Sequence, residues 1–176
     1  MEHPARPDPV EQALHDLERH NAAACAMGNP KRLAERAEKG ILNARERIEA
    51  LLDPGSFFEV GRLARSHRKE VREKTPADGK ITGFGRIGGR PVALVSNDFT
   101  VLGASSSVMN GKKVKHMKDM AVAKGMPLVM LGESSGARMP DRMGAPGRAI
   151  LGQDATEFRR LREMPLVSAL LGDCYG

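Results

Sequence analysis

Residues 127–141 read P-L-V-M-L-G-E-S-S-G-A-R-M-P-D, an apolar run that stops abruptly in small residues and one arginine. Continuous apolar character from Met126 to Leu131 is that of a strand buried on both faces, as in a parallel sheet covered by helices. The side chains of Gly132, Ser134, Ser135, Gly136 and Ala137 are too small to crowd a ligand, so a ligand there meets main chain. Exposed N–H groups in such a loop suit negative charge developing on a reacting oxygen better than they suit a covalent nucleophile. The lysine and hydroxyl pair that closes a nucleotide P-loop is absent. Taken alone, the same stretch is also an ordinary strand-to-helix turn in which glycines relieve crowding.

Upstream, Val92 to Val95 and Ile81 to Ile87 flank Gly88-Gly89, the pattern of a hairpin with a two-residue turn. Gly83 and Gly85 weaken the first of these strands and mark a bulge or a close approach by another backbone. Between the hairpin and the central strand, Ser105 to Ser107 offer caps for a helix carrying Val114, Met117, Met120 and Ala121 on one face. Downstream, a helix at about 150–162 leads to a second apolar strand, Leu166 to Leu171. Gly172, Asp173, Cys174, Tyr175 and Gly176 then repeat the opening of a strand into a small-residue turn. This alternation predicts a stacked α/β core with right-handed crossovers. Its last turn has no helix after it, so the chain reads as part of a longer polypeptide.

The N-terminal third is different in kind. Residues 1–9, with Pro4, Pro7 and Pro9, read as a disordered tail. Residues 10–60 form a helical segment: Val10, Leu14 and Leu17 give a weak apolar stripe, a second helix spans about Lys31 to Lys39, and Asn43 with Glu46 makes a capping box before Ile48, Leu51 and Leu52. Asp53, Pro54 and Gly55 end that helix, and Phe57, Phe58 and Val60 suggest a short strand. Residues 61–80 are rich in charge without periodicity and read as a mobile or surface loop, leaving 81–176 as the core.

The formal charge of +6 comes from 28 basic against 22 acidic residues, and only 3% of residues are aromatic. Stacking platforms for single-stranded bases are therefore poorly supplied, whereas a small phosphate-bearing ligand suits the balance. Cys25 and Cys174 lie far apart without metal-ligand spacing, which favours a reducing, cytoplasmic setting. No apolar run approaches the length of a membrane span.

Several separated blocks carry a resemblance: N-A-R-E-R-I-E-A-L-L-D-P-G-S-F-F-E at 43–59, D-G-K-I-T-G-F-G-R-I-G-G-R-P-V-A-L-V-S-N-D-F-T-V-L-G-A-S-S-S at 78–107, S-S-G-A-R-M-P, and the final G-D-C-Y-G. Together they resemble the N-terminal half of the carboxyltransferase subunit of biotin-dependent acyl-CoA carboxylases. That resemblance implies a crotonase-like fold of stacked ββα units, preceded here by N-terminal helices and incomplete at the C-terminus. It implies transfer of a carboxyl group from carboxybiotin, held on a separate carrier, to the α carbon of an acyl-CoA of the acetyl or propionyl type. The implied partners are acyl-CoA, a biotin carboxylase, a biotin carboxyl carrier and further copies of the chain, with no membrane and no metal.

The same resemblance assigns roles. The family loop S-G-G-A-R matches Ser134 to Arg138, so main-chain donors fall at Ser135, Gly136 and Ala137, with Ser135 replacing a glycine. The family turn G-P-C-x-G-G matches Gly172 to Gly176 in part, which places a second donor group at Cys174 and Tyr175; Asp173 stands where proline is usual. The bland reading of Cys174 is a buried small side chain. For the phosphates of CoA, Lys112, Lys113 and Lys115 at the start of a helix, together with Arg138, are the candidates, and a solvated lysine face or an Arg138 ion pair with Glu133 or Asp141 is the plain alternative. A biotin-dependent decarboxylase running the transfer in reverse, and a nonenzymatic CoA- or RNA-binding module, remain open at this level.

Overall fold

The computed structural model describes residues 8–143 and 163–175. Helices α1 (Pro9–Ala26), α2 (Pro30–Glu38) and α3 (Ala44–Leu51) come first, followed by β1 (Phe58–Val60), the hairpin β2 (Lys80–Ile87) and β3 (Arg90–Asn97), α4 (Val108–Lys124), β4 (Leu128–Ser135), the single turn α5 (Met139–Arg142) and β5 (Leu166–Tyr175). The strands form one sheet in sequence order. The β1–β2–β3 pairs are antiparallel and the β3–β4–β5 pairs parallel, with α4 as the crossover between β3 and β4. The chain has the mixed α/β architecture anticipated from its strand and helix alternation. None of the described helices is long and apolar enough to cross a membrane.

Alternation along β3 explains the layering. Val92 and Leu94 face α3 and join Ala44, Ile48, Leu52, Ile81, Val129 and Leu131. Ala93 and Val95 face α4 and pack with Met117, Ala121 and Leu128. Successive residues of a strand point to opposite sides, so an unbroken apolar run is what a sheet covered on both faces requires.

Local chemistry sets the ends of the elements. Asn43 accepts from the amides of Arg45 and Glu46 while Glu46 accepts from the amide of Asn43, the reciprocal box expected for α3. The hairpin turns through Gly88 and Gly89, at φ 56° and 77°. Both of their amides donate to the carboxylate of Asp53, at 2.9 and 2.8 Å. Gly83 and Gly85 are sites of close approach: a Cβ would stand 2.2 Å from the Phe58 carbonyl oxygen at the first and 2.4 Å from Leu52 Cδ1 at the second.

Four expectations change. Pro9 opens α1 under an Asp8 cap, and the rest of the supposed N-terminal tail, residues 1–7, lies outside the described residues. The stripe of Val10, Leu14 and Leu17 stays exposed. The charged segment 61–80 is anchored rather than a mobile surface loop: it contains a 3-10 turn at Arg72–Lys74 and a tight turn at Pro76–Gly79, and Ser66, Thr75 and Asp78 within it are buried. Short polar side chains that satisfy a turn internally leave no periodic trace, which is why the sequence reads as loop. Finally, β5 continues through Gly172 to Tyr175 as strand, paired with β4 at Cys174↔Ser134 and Tyr175↔Ser135, where a turn was expected. The expected helix at about 150–162 lies outside the described residues, as does Gly176.

Candidate active site

Gly132, Ser134 and Ser135, expected in a loop, belong to β4, and the stretch that leaves the strand, Gly136–Arg138, is held by a neighbouring segment. Ser106 donates its amide to the carbonyl of Gly136 and accepts from the amide of Arg138, both at 2.8 Å. In a parallel bridge of this kind the residue between the two bonded groups turns its own N–H and C=O the other way. Ala137 is that residue, and it is exposed. The amide of Gly136 is instead taken up by Ser134 Oγ at 3.2 Å. Of the main-chain donors anticipated at Ser135, Gly136 and Ala137, the one at Ala137 is thus presented away from its supporting strand, and the one at Gly136 is used locally. The bulk that Ser135 brings in place of a glycine lies over Gly103, where a Cβ would stand 2.4 Å from Ser135 Oγ.

Arg138 is buried beneath this loop. Its Nη1 donates to Asp78 Oδ1 at 2.7 Å and its Nε to Ser105 Oγ at 3.2 Å. A phosphate contact is therefore replaced by an ion pair, and the partner is Asp78; Asp141 lies 4.0 Å away. Glu133 is not the partner of Arg138. It projects from β4 and accepts from Arg36 and Arg47, each at 2.5 Å. Burial pushes the Glu133 carboxyl up, but hydrogen bonds from Arg47 and then Arg36 outweigh this and hold it below the usual glutamate value.

The lysines at the start of α4 do not act as one group. Lys113 is buried, and its ammonium donates to the carbonyl of Ala77 at 2.8 Å and to that of Lys80. It is a structural cation, not a phosphate ligand. Burial lowers its pKa to about 8, and likewise lowers that of Lys80, which donates to Asn97 Oδ1 at 2.8 Å. Lys112 is exposed, and Lys115 pairs with Asp119 one turn along at 3.0 Å. The reason lies in helical phase: Lys113 precedes Met117 by four residues and so shares its inward face.

The cavity that adjoins the loop is lined by other residues. A groove of about 1130 Å³ runs between the α1–α2 corner, the 65–76 segment and the turn after β3, and it reaches Ser135. Arg32, Arg36, Lys39, Arg65 and Lys74 line it, opposed by Glu35 and Glu73. Glu73 holds Arg65 at 2.9 Å, and Arg36 lies over the Phe99 ring at 5.5 Å besides bonding Glu133. Arg32, Lys39 and Lys74 have no ion pair among the described residues. None of Lys112, Lys113, Lys115 and Arg138 lines this groove. Sequence reasoning missed its basic rim because these cations come from α2 and from a segment without periodicity.

Cys174 and Tyr175 are brought beside the loop by strand pairing, and both side chains are exposed among the described residues, where Cys174 was expected to be buried. Among the described residues, no group of three or more His, Cys, Asp or Glu side chains is placed to hold a metal.

A family model described as the carboxyl transferase domain matches residues 35–176. The chain belongs to the carboxyl transferase domain family. It is 37% identical over 174 residues to the propionyl-CoA carboxylase beta chain of Cereibacter sphaeroides, covering 95% of this chain and 33% of that relative. Among solved structures, it is similar to transcarboxylase 12S with methylmalonyl-coenzyme A bound, at a TM-score of 0.80 and 31% identity, over 94% of this chain and 33% of that one. A Pseudomonas malonate decarboxylase hetero-tetramer is similar at a TM-score of 0.63 and 26% identity, over 77% of this carboxyl transferase chain and 53% of that one. The crotonase-like architecture of these carboxyltransferases is the architecture of this family member, which spans about a third of the length of the carboxylase relative and the transcarboxylase.

Proposed function

We propose that the polypeptide carrying this chain moves a carboxyl group between carboxybiotin on a separate carrier and the α carbon of an acyl-CoA, and that this chain supplies the CoA groove and one oxyanion donor. The observation that carries this reading is the groove with a basic rim that ends on Ser135, two residues from the outward-facing amide of Ala137. Arg32, Lys39 and Lys74 would receive the phosphates of CoA, since each is a cation at the groove wall without an ion pair among the described residues.

Loss of the proton beside a thioester places negative charge on the carbonyl oxygen. A fixed amide at Ala137 stabilises that charge without reorganising, and removal of one such donor typically costs about 3 to 4 kcal/mol. Carboxybiotin would supply the carboxyl group when its carrier docks: its N–CO2 bond breaks as the new bond to the α carbon forms, and the vacated biotin nitrogen takes up the α proton. Cys174 and Tyr175, paired with Ser134 and Ser135, are the main-chain neighbours from which a second donor group would come. The likeness to propionyl-CoA carboxylase beta chains favours acetyl- or propionyl-CoA as substrate and the carboxylating direction. A biotin carboxylase and a carrier as partners, a homo-oligomeric assembly and a cytoplasmic setting belong to the same proposal.

The test is carboxylation by the complete polypeptide assembled with its biotin carboxylase and carrier, supplied with ATP, labelled bicarbonate and acyl-CoAs of increasing length. Fixed label in the acyl-CoA is expected with acetyl- or propionyl-CoA. No label in any acyl-CoA, from an assembly whose carrier is shown to be carboxylated, ends this reading.

A further inference from the structure

Ala77, Asp78 and Gly79 are consecutive residues in the left-handed region, with φ of 48°, 45° and 70°. Two of them carry a Cβ, and such a run persists only where surrounding contacts over-determine it. Those contacts are present. Lys113 Nζ holds the Ala77 carbonyl at 2.8 Å, Asn110 Nδ2 holds that of Asp78 at 3.1 Å, and the Asp98 amide holds that of Gly79 at 2.9 Å.

The strained turn aims one group, the fully buried Asp78 carboxylate. Its Oδ1 accepts from Arg138 Nη1 at 2.7 Å, and its Oδ2 from the Ser107 hydroxyl and from the Asn110 amide at 3.1 Å. Asp78 therefore ties the start of α4 to the residue that follows Ala137. Arg138 is in turn bound to the Ser105–Ser107 segment through Ser105 Oγ and through its own amide to the Ser106 carbonyl. Every donor around Asp78 needs an acceptor. An asparagine there would turn an NH2 group toward one of them and break that side of the link.

We propose that Asp78 is a positioning residue for carboxyl transfer: by fixing Arg138 from beneath, it sets the direction of the Ala137 amide. This rests on the function proposed above. Asp78 is fully buried and does not line the groove, so its loss acts on the geometry of the donor and not on CoA binding. A misplacement of about 1 Å at such a site lowers turnover about 100-fold.

The experiment uses the assembled enzyme with Asp78→Asn, and Arg138→Lys in parallel should the first not fold. The expected result is a kcat lowered about 100-fold with KM for acyl-CoA and affinity for free CoA nearly unchanged. Alongside it, amide hydrogen exchange over 133–138 is expected to quicken while that of α2 stays as in the wild type. Wild-type kcat in a folded variant overturns the proposal, as does a loss of activity that follows the folded fraction alone. Exchange separates the two readings: if the wild-type assembly transfers no carboxyl group, the function falls, and faster exchange confined to 133–138 still supports positioning by Asp78, whereas unchanged exchange overturns it.

Discussion

Gly103 and Ser135 fit one another: a Cβ on Gly103 would stand 2.4 Å from Ser135 Oγ, and Gly103 sits at φ 66°. A serine at position 135 is accommodated because the residue across from it has no side chain. Gly103→Ala introduces both a clash and left-handed strain, which together cost about 1 to 3 kcal/mol of stability. It is also expected to lower kcat/KM by displacing the loop. Adding Ser135→Gly should restore part of the lost activity, and a double-mutant cycle in which the two losses simply add refutes the coupling.

Lys113 and Lys112 are neighbours with different expected roles. Lys113→Met leaves the carbonyls of Ala77 and Lys80 without their donor and is expected to destabilise by about 1 to 3 kcal/mol. Exposed Lys112→Ala should stay within about 0.5 kcal/mol of the wild type. Denaturant unfolding of both variants measures the contrast; equal effects would contradict the burial of Lys113.

Burial disfavours the ammonium of Lys80 and of Lys113 and lowers each pKa to about 8 in the folded chain, against the ordinary lysine value of 10.5. Between those values the unfolded chain holds more protons, so stability rises with pH from about 8 toward 10.5. Below that window both states are protonated and the cost of burial is fully present. Each lysine contributes a slope of at most about 1.4 kcal/mol per pH unit. Unfolding free energies from pH 7 to 10 should show a steeper rise in the wild type than in Lys113→Met; parallel curves would refute the shift.

Glu133 receives two guanidinium groups, so Glu133→Gln strands buried Arg47 beside Arg36. Removal of one partner from a buried ionic cluster costs about 3 to 5 kcal/mol. A midpoint in denaturant close to that of the wild type would show that the cluster contributes little.

At the groove rim, Arg32→Ala, Lys39→Ala and Lys74→Ala are each expected to raise KM for acyl-CoA about two- to fivefold with kcat unchanged. The increase should shrink at high salt, because exposed charges are screened. Steady-state kinetics across ionic strength reports both. A kcat loss without a KM change would place these residues outside CoA recognition.

Much of this was legible in the chain. The apolar run Val92 to Val95, the Gly-Gly turn and the Asn43–Glu46 box are local signals, and the structure realises them. The small-residue stretch after Leu131 reads as a loop, yet Gly132 to Ser135 continue β4 and only Gly136 to Arg138 leave the strand. The roles of Lys113, Arg138 and Glu133 were not legible, since a charged side chain carries no mark of which distant group will face it. Cys174 and Tyr175 read as a turn for the same reason: residues suited to a turn extend as strand when a neighbouring strand offers its ladder.

The sequence by itself determined the capping box of α3, the Gly88-Gly89 hairpin and the apolar runs of β3 and β4 that a sheet covered on both faces requires, because these follow from the chemistry of adjacent residues. The tertiary structure alone decided that Asp78 meets Arg138, that Glu133 gathers Arg36 and Arg47, and that the basic rim of the groove comes from α2 and the 65–76 segment. Those pairings join residues tens of positions apart, and their strength depends on burial, which only the folded chain creates.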